Sequence, residues 1–322
     1  MSLIRTLNSF MKKQFEKEGS ILKKKALLFS AFPVLALALL AVALIGSMAA
    51  QATAPIHAAP VHITKIRGGA VVPNAQANMT YHGGPVMGGT SQAYAIFWEP
   101  TGSSVSATYN SLILRYFGDI GGSGLYHNNT QYKASNSTFA SGATLGGSWV
   151  DTAAYPSNKI SDAQVRQEVS HAMQVKGWTA SATHIFFVFT AKGENICYNS
   201  SQCSFTTFCA YHSYFNSNTM YAAMPYTGTN LSACGVPTGK SPNGDINADS
   251  TINVTSHEQN EAATDPHLNA WYDASGNEIG DKCAWTFGTI AANGSNVTWN
   301  GHPYIVQREW DNLKHACVKT GP

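Results

Sequence analysis

The sequence predicts an α+β domain of three layers: a mixed sheet, a helix carrying an imidazole-and-carboxylate motif, and loops clipped by disulfides. Three observations point there. Apolar, aromatic-rich strand patterns interleave with helical patterns along the chain. Charged residues make up only 12% of it, while Gly, Ser, Thr, Asn and aromatics are abundant, a balance that suits an exported, strand-rich protein with long polar loops. Six cysteines, Cys197, Cys203, Cys209, Cys234, Cys283 and Cys317, all follow the N-terminal apolar run, and an even number in an oxidising compartment reads as up to three disulfides.

A chain of 322 residues is one large domain or two small ones, with ample length for a core. Net charge is only +2, and many of the Lys and Arg residues sit in the first 25 positions. The rest is nearly neutral, which argues against a nucleic-acid footprint.

Taken in order, residues 1–25 form a basic n-region with Arg5, Lys12, Lys13, Lys17 and Lys23 to Lys25. Residues 26–52 hold the apolar run from Ala26 to Gly46 and a small-x-small site at Ala50-Gln51-Ala52. This pattern reads as a cleaved signal peptide, or else as an uncleaved transmembrane anchor with its basic end inside. Both readings put the remainder outside the cytoplasm, secreted or on the extracellular surface. Contact with a membrane would then come only through this segment. Residues 53–78, rich in Ala, Pro, Gly and Asn, read as a linker, and 79–322 as the domain proper.

Within that domain, "SQAYAIFWEP" is a strand ending before Pro100, and "SATYNSLILRYFGDIGGSG" an amphipathic helix stopped by glycines. A Gly/Ser/Asn-rich stretch then runs to about Pro156. "ISDAQVRQEVSHAMQVKGW" reads as a helix capped by Ser161, with Ala163, Val165, Val169, Ala172, Met173 and Val175 on its apolar face. "THIFFVFTAKG" is a continuous apolar strand central in a sheet, and "FTTFCAYHSYF" with "TMYAAMPYTG" a strand pair. Proximity along the chain favours local clips among Cys197, Cys203, Cys209 and Cys234, and a Cys283–Cys317 staple. A zinc knuckle would need a close C-x-x-C pair, and the sequence has none.

The segment "DINADSTINVTSHEQNEAATDP" carries the chemistry. Asp249 or Ser250 can cap a helix running to about Thr264, with Pro266 just past its end. His257 and Glu261, four residues apart, share one helical face and can reach one ion. Glu258, about 100° round, is placed to act as a general base on a metal-bound water. This is H-E-x-x-H with its second His replaced by Glu261, still an acceptable zinc ligand. The pattern predicts a zincin-like active-site helix around Zn2+. A third ligand is sought downstream: Asp281 first, then Glu278, then His267, which has the metzincin spacing. The competing reading is a solvated acidic helix face. A second candidate, Asp245-x-Asn247-x-Asp249, begins like a Ca2+ loop but has Ser250 where Gly is needed and Ser256 where Glu is needed. Turn formation and helix capping account for the same residues. No G-x-S-x-G elbow is present, and the cysteines read as structural.

Several segments in shared order resemble the phosphate-induced protein family, also called EXORDIUM-like, and its bacterial relatives. They are "TYHGGPVMGG" with "AYAIFWEP", "HIFFVFTAKG" with Cys197 and Cys203, and "PNGDINADSTINVTSHEQNEAATDPHLNAWYD" with "NEIGDKC". The likeness spans about residues 79–317, with gaps. It implies an exported, wall- or surface-associated protein, of a kind linked in plants to growth and nutrient signalling. It carries His257, Glu258, Glu261, Glu278 and Asp281 over as metal-site candidates. Two functions follow. One is an exported metal-dependent, peptidase-like hydrolase. The other is a non-catalytic surface protein that binds a cell-wall component or partner through aromatic- and Asn-rich loops.

Overall fold

The computed structural model describes residues 61–68, 77–157, 159–237 and 239–322. The expected n-region and the signal or anchor segment lie outside the described residues. Among the described residues no helix is long and apolar enough to cross a membrane.

Six strands form one mixed sheet: β1 (His62–Lys65), β2 (Gly89–Trp98), β3 (Ala140–Asp151), β4 (His184–Thr190), β5 (Phe208–Phe215) and β6 (Thr219–Met224). Their order across the sheet is β1-β5-β6-β4-β2-β3. β2 runs parallel to β3 and β4, and β4 parallel to β6. β5 is antiparallel to β6 and to β1. The parallel centre is buried on both sides, which is why "HIFFVFT" is apolar without alternation.

Three helices cover the sheet: α1 (Tyr109–Asp119), α2 (Asp162–Lys176) and α3 (Ile246–Thr264). Alternate residues of a strand face opposite sides. Ala93, Ala95 and Phe97 of β2 pack in one core with Ile113 and Phe117 of α1 and Ala248 and Ile252 of α3. Tyr94, Ile96 and Trp98 face the other way and pack with Val165, Val169 and Ala172 of α2. The result is the three-layer α+β architecture. Ser161 caps α2 in a reciprocal capping box with Gln164, and Gly177 ends it at φ 67°. Val175, assigned above to the apolar face of this helix, is 53% exposed.

The disulfides are Cys197–Cys203, Cys209–Cys234 and Cys283–Cys317. Two elements depart from the sequence reading. The Gly/Ser-rich stretch before Pro156 contains β3, a strand of 12 residues. Its glycines are there for contact: a Cβ on Gly147 would lie 2.9 Å from the Trp178 ring, and one on Gly146 2.7 Å from Tyr94. Within the span read as linker, residues 62–65 form β1 and join the sheet edge through β5.

Candidate metal centre

Helix α3 begins at Ile246, a turn earlier than its sequence signals suggest. Asp245 is the N-cap, accepting the backbone N–H groups of Asn247 and Ala248. Ser106 and Thr108 also donate to Asp245, while Ser241 and Asn243 satisfy both oxygens of Asp249. The Asp245-Asn247-Asp249 run therefore serves as a cap and loop anchor, and its carboxylates are already spoken for by protein donors.

The helix is buried from Ala248 to Thr264. His257, Glu258 and Glu261 are each 0% exposed, so the solvated-face reading is excluded. α3 lies against β5 and β1, and the antiparallel register sets His62 directly opposite His212. On the third side the chain from Glu278 to Cys283 folds over the helix. Gly280 lies so close to the His257 ring that a Cβ would sit 2.7 Å from Nδ1.

Of the expected ligands, His257 Nε2 lies 2.9 Å from Glu261 Oε1 and 3.8 Å from Asp281 Oδ1. The Asp281 N–H donates to Glu261 Oε1 at 3.0 Å. Glu278 sits on the far side of Glu261, with Oε2 at 2.8 Å from His62 Nδ1 and 3.8 Å from His212 Nε2. His267 does not join them; its ring stacks on Tyr214 at 4.5 Å between centroids.

Glu258 is held by other residues. Its Oε1 accepts the Thr64 hydroxyl at 2.5 Å, and its Oε2 lies 3.0 Å from His212 Nδ1. A carboxylate only accepts, so His212 carries its proton on Nδ1 and turns Nε2 inward. His257 has the opposite tautomer. Gln307 Oε1 accepts the Trp285 N–H at 3.2 Å, which fixes the amide and points Nε2 at His257 Nδ1. Nδ1 is then the acceptor, and the His257 proton is on Nε2.

Burial is the first cause of the electrostatics here. It pushes the Glu261 carboxyl well up, helped by the Glu258 charge. It does the same to Glu278, helped by Glu261 and Asp265, and to Glu309, helped by Glu261 and Asp281. Burial and then Glu261 raise Asp281 to about 7. Burial, with His212 and His257 adding to it, lowers His62 to about 3. For His212 burial works against protonation, but the Glu258 hydrogen bond and the charges of Glu258 and Glu261 overcome it, and its pKa rises.

Two groups each place one ligand atom per residue within 4.8 Å of the others: His212, Glu261 and Glu278, and His257, Glu258 and Glu261. A separate group, Asp151, Glu168 and His171, lies at α2 with His171 exposed. Sequence reasoning missed His62, Thr64 and His212. The available signals were the i, i+2 placement of His62 and Thr64 on one face of a short strand, and a lone His inside "CAYHSYF".

Comparison with known proteins gives a local match. The chain is 35% identical over 100 residues to Protein EXORDIUM-like 3 of Arabidopsis thaliana, covering 26% of this chain and 29% of that protein. The chain thus matches less than a third of that relative's length. No family model matches, and no solved structure matches.

Proposed function

We propose that the protein is an exported, non-catalytic surface- or wall-associated binding protein of the EXORDIUM-like kind. The local similarity to a plant EXORDIUM-like protein and the three disulfides support that setting. One observation carries the choice over a peptidase. Glu258, the residue a zincin-type mechanism would use as base, is 0% exposed and has both oxygens engaged, by Thr64 and by His212. A general base must reach a water and a substrate carbonyl. Here both sides of the carboxylate face protein, beneath β1.

The test is cleavage of an unstructured protein such as casein and of a mixed peptide library, by zinc-supplemented wild type and Glu258→Gln. The expected result is no cleavage above background by either protein. Turnover by the wild type that disappears in Glu258→Gln would overturn this reading and restore the hydrolase.

A further inference from the structure

We propose that His212, Glu261 and Glu278, whose ligand atoms lie within 4.8 Å of one another, form the binding site for one divalent transition-metal ion, with His62, held against Glu278 Oε2, closing in as the fourth ligand and Glu258 as the residue that orients His212. The ion would tie edge strand β1 to the core. This site shares Glu261 with the His257-centred one that the sequence pattern suggests but takes its imidazoles from β1 and β5 in place of His257, and it does not depend on the protein being non-catalytic.

The first argument is the state of the polar atoms. His212 Nε2, Glu261 Oε2 and both oxygens of Glu278 are buried without a hydrogen-bond partner. Such atoms cost free energy unless something satisfies them. The approach of His62 Nδ1 to Glu278 Oε2 at 2.8 Å does not satisfy that oxygen, because the geometry is not that of a hydrogen bond. Two atoms at this distance and off-axis fit two ligands aimed at a common centre.

The second argument is spacing. Ligand atoms bound tetrahedrally at zinc-type distances lie about 3.3 Å apart. The observed separations of Glu278 Oε2 from the two imidazoles, 2.8 and 3.8 Å, bracket that value.

Charge supplies the third argument. Glu258, Glu261, Glu278, Asp281 and Glu309 are packed into one buried region. Among the described residues no Lys or Arg forms an ion pair with any of them. Two neutral imidazoles and two carboxylates cancel a dication, and a nitrogen–oxygen set of this kind selects zinc-class ions over calcium or magnesium.

The fourth argument is orientation. The Nδ1–H of His212 points at Glu258, which leaves the Nε2 lone pair facing the site; this is the carboxylate–histidine arrangement that fixes a metal-binding tautomer. His257 lacks that freedom, because Gln307 holds its Nδ1 as an acceptor.

The experiment uses the full exported chain with its disulfides formed. It is stripped with chelator, reloaded with Zn2+ alone, dialysed, and measured by elemental analysis and X-ray absorption. One zinc per chain is expected, in a nitrogen/oxygen shell with imidazole scattering. Glu258→Gln removes only the orienting partner and should weaken zinc binding roughly 10–100-fold. His62→Ala and His212→Gln should weaken it at least as much. His62 is partly exposed on an edge strand, so its variant decides the matter if the His212 variant does not fold. His82→Ala, outside the site and stacked on Tyr272, should bind like wild type. A folded wild type that retains no zinc, or a folded His62→Ala with unchanged affinity, overturns the assignment.

Discussion

Cutting the Cys283–Cys317 disulfide should loosen the loop that carries Glu278 and Asp281. Cys283 is 0% exposed and packs with Met79, Ile279 and Trp310. The Ile279 carbonyl accepts the Trp310 N–H at 3.0 Å. The bridge spans 34 residues of sequence, against 25 for Cys209–Cys234 and 6 for Cys197–Cys203. Loop-closure entropy then assigns about 3.8, 3.5 and 2.2 kcal/mol respectively to the three bridges. The double variant Cys283→Ala/Cys317→Ala should lose about 3.8 kcal/mol, or roughly 8–15 °C in Tm for a domain of this size. Guanidinium unfolding followed by tryptophan fluorescence gives the free energy. Hydrogen exchange over residues 278–283 tests whether the loss is felt where the argument places it. A loss below about 1 kcal/mol would refute the reasoning, as would a larger loss on removing Cys197–Cys203.

Three further outcomes are expected. Thr64→Val leaves Glu258 Oε1 without its donor and should cost about 1–3 kcal/mol, read by chemical denaturation at fixed metal content. Ser161→Ala removes the α2 capping box and should cost about 0.5–2 kcal/mol, read by thermal melting. Glu168 is raised to about 8 by burial and by Asp151. A carboxyl raised in the folded state contributes stability that is full below its unfolded value of 4.5 and is lost as pH rises through 8. Melting temperature should therefore fall more steeply between pH 5 and 9 for wild type than for Glu168→Gln, and parallel curves would sink the assignment.

The strands and helices with strong periodicity were legible: "AYAIFW", "HIFFVFT" and the Ser161-capped helix sit where hydrophobic pattern and capping chemistry put them. β3 was not legible, because its glycines satisfy contacts with Trp178 and Tyr94 that exist only in the folded sheet. β1 was hidden for a related reason: four residues in an Ala/Pro/Gly-rich span show too little pattern, and the strand is fixed by pairing with β5. For the site, the i, i+4 rule put His257 and Glu261 on one face, and Glu278 and Asp281 fall beside them. His62 and His212 come from strands 150 positions apart in sequence. No local spacing encodes a pair made by sheet register.

The composition of α3 now makes physical sense. A helix polar on every face is ordinarily solvent-exposed, yet this one is buried from Ala248 to Thr264. Partners from other elements make that possible: Tyr109 binds Thr251, Tyr116 binds Gln259, Asn129 binds Asn260, and Asn253 accepts the Gln307 N–H. These bonds offset the desolvation of the helix and fix its rotation about its own axis. That fixed rotation turns Glu258 and Glu261 toward β1 and β5. Close to the helix, His212 Nε2, Glu261 Oε2 and the Glu278 and Glu309 carboxylates are left without hydrogen bonds. Asn253 Nδ2, Ser256 Oγ, His257 Nε2 and Gln259 Nε2 of the helix are unpartnered as well, but only beside β1 and β5 do such atoms belong to an imidazole and carboxylates from separate elements, His212, Glu261 and Glu278, which is the grouping the proposed cation would draw together.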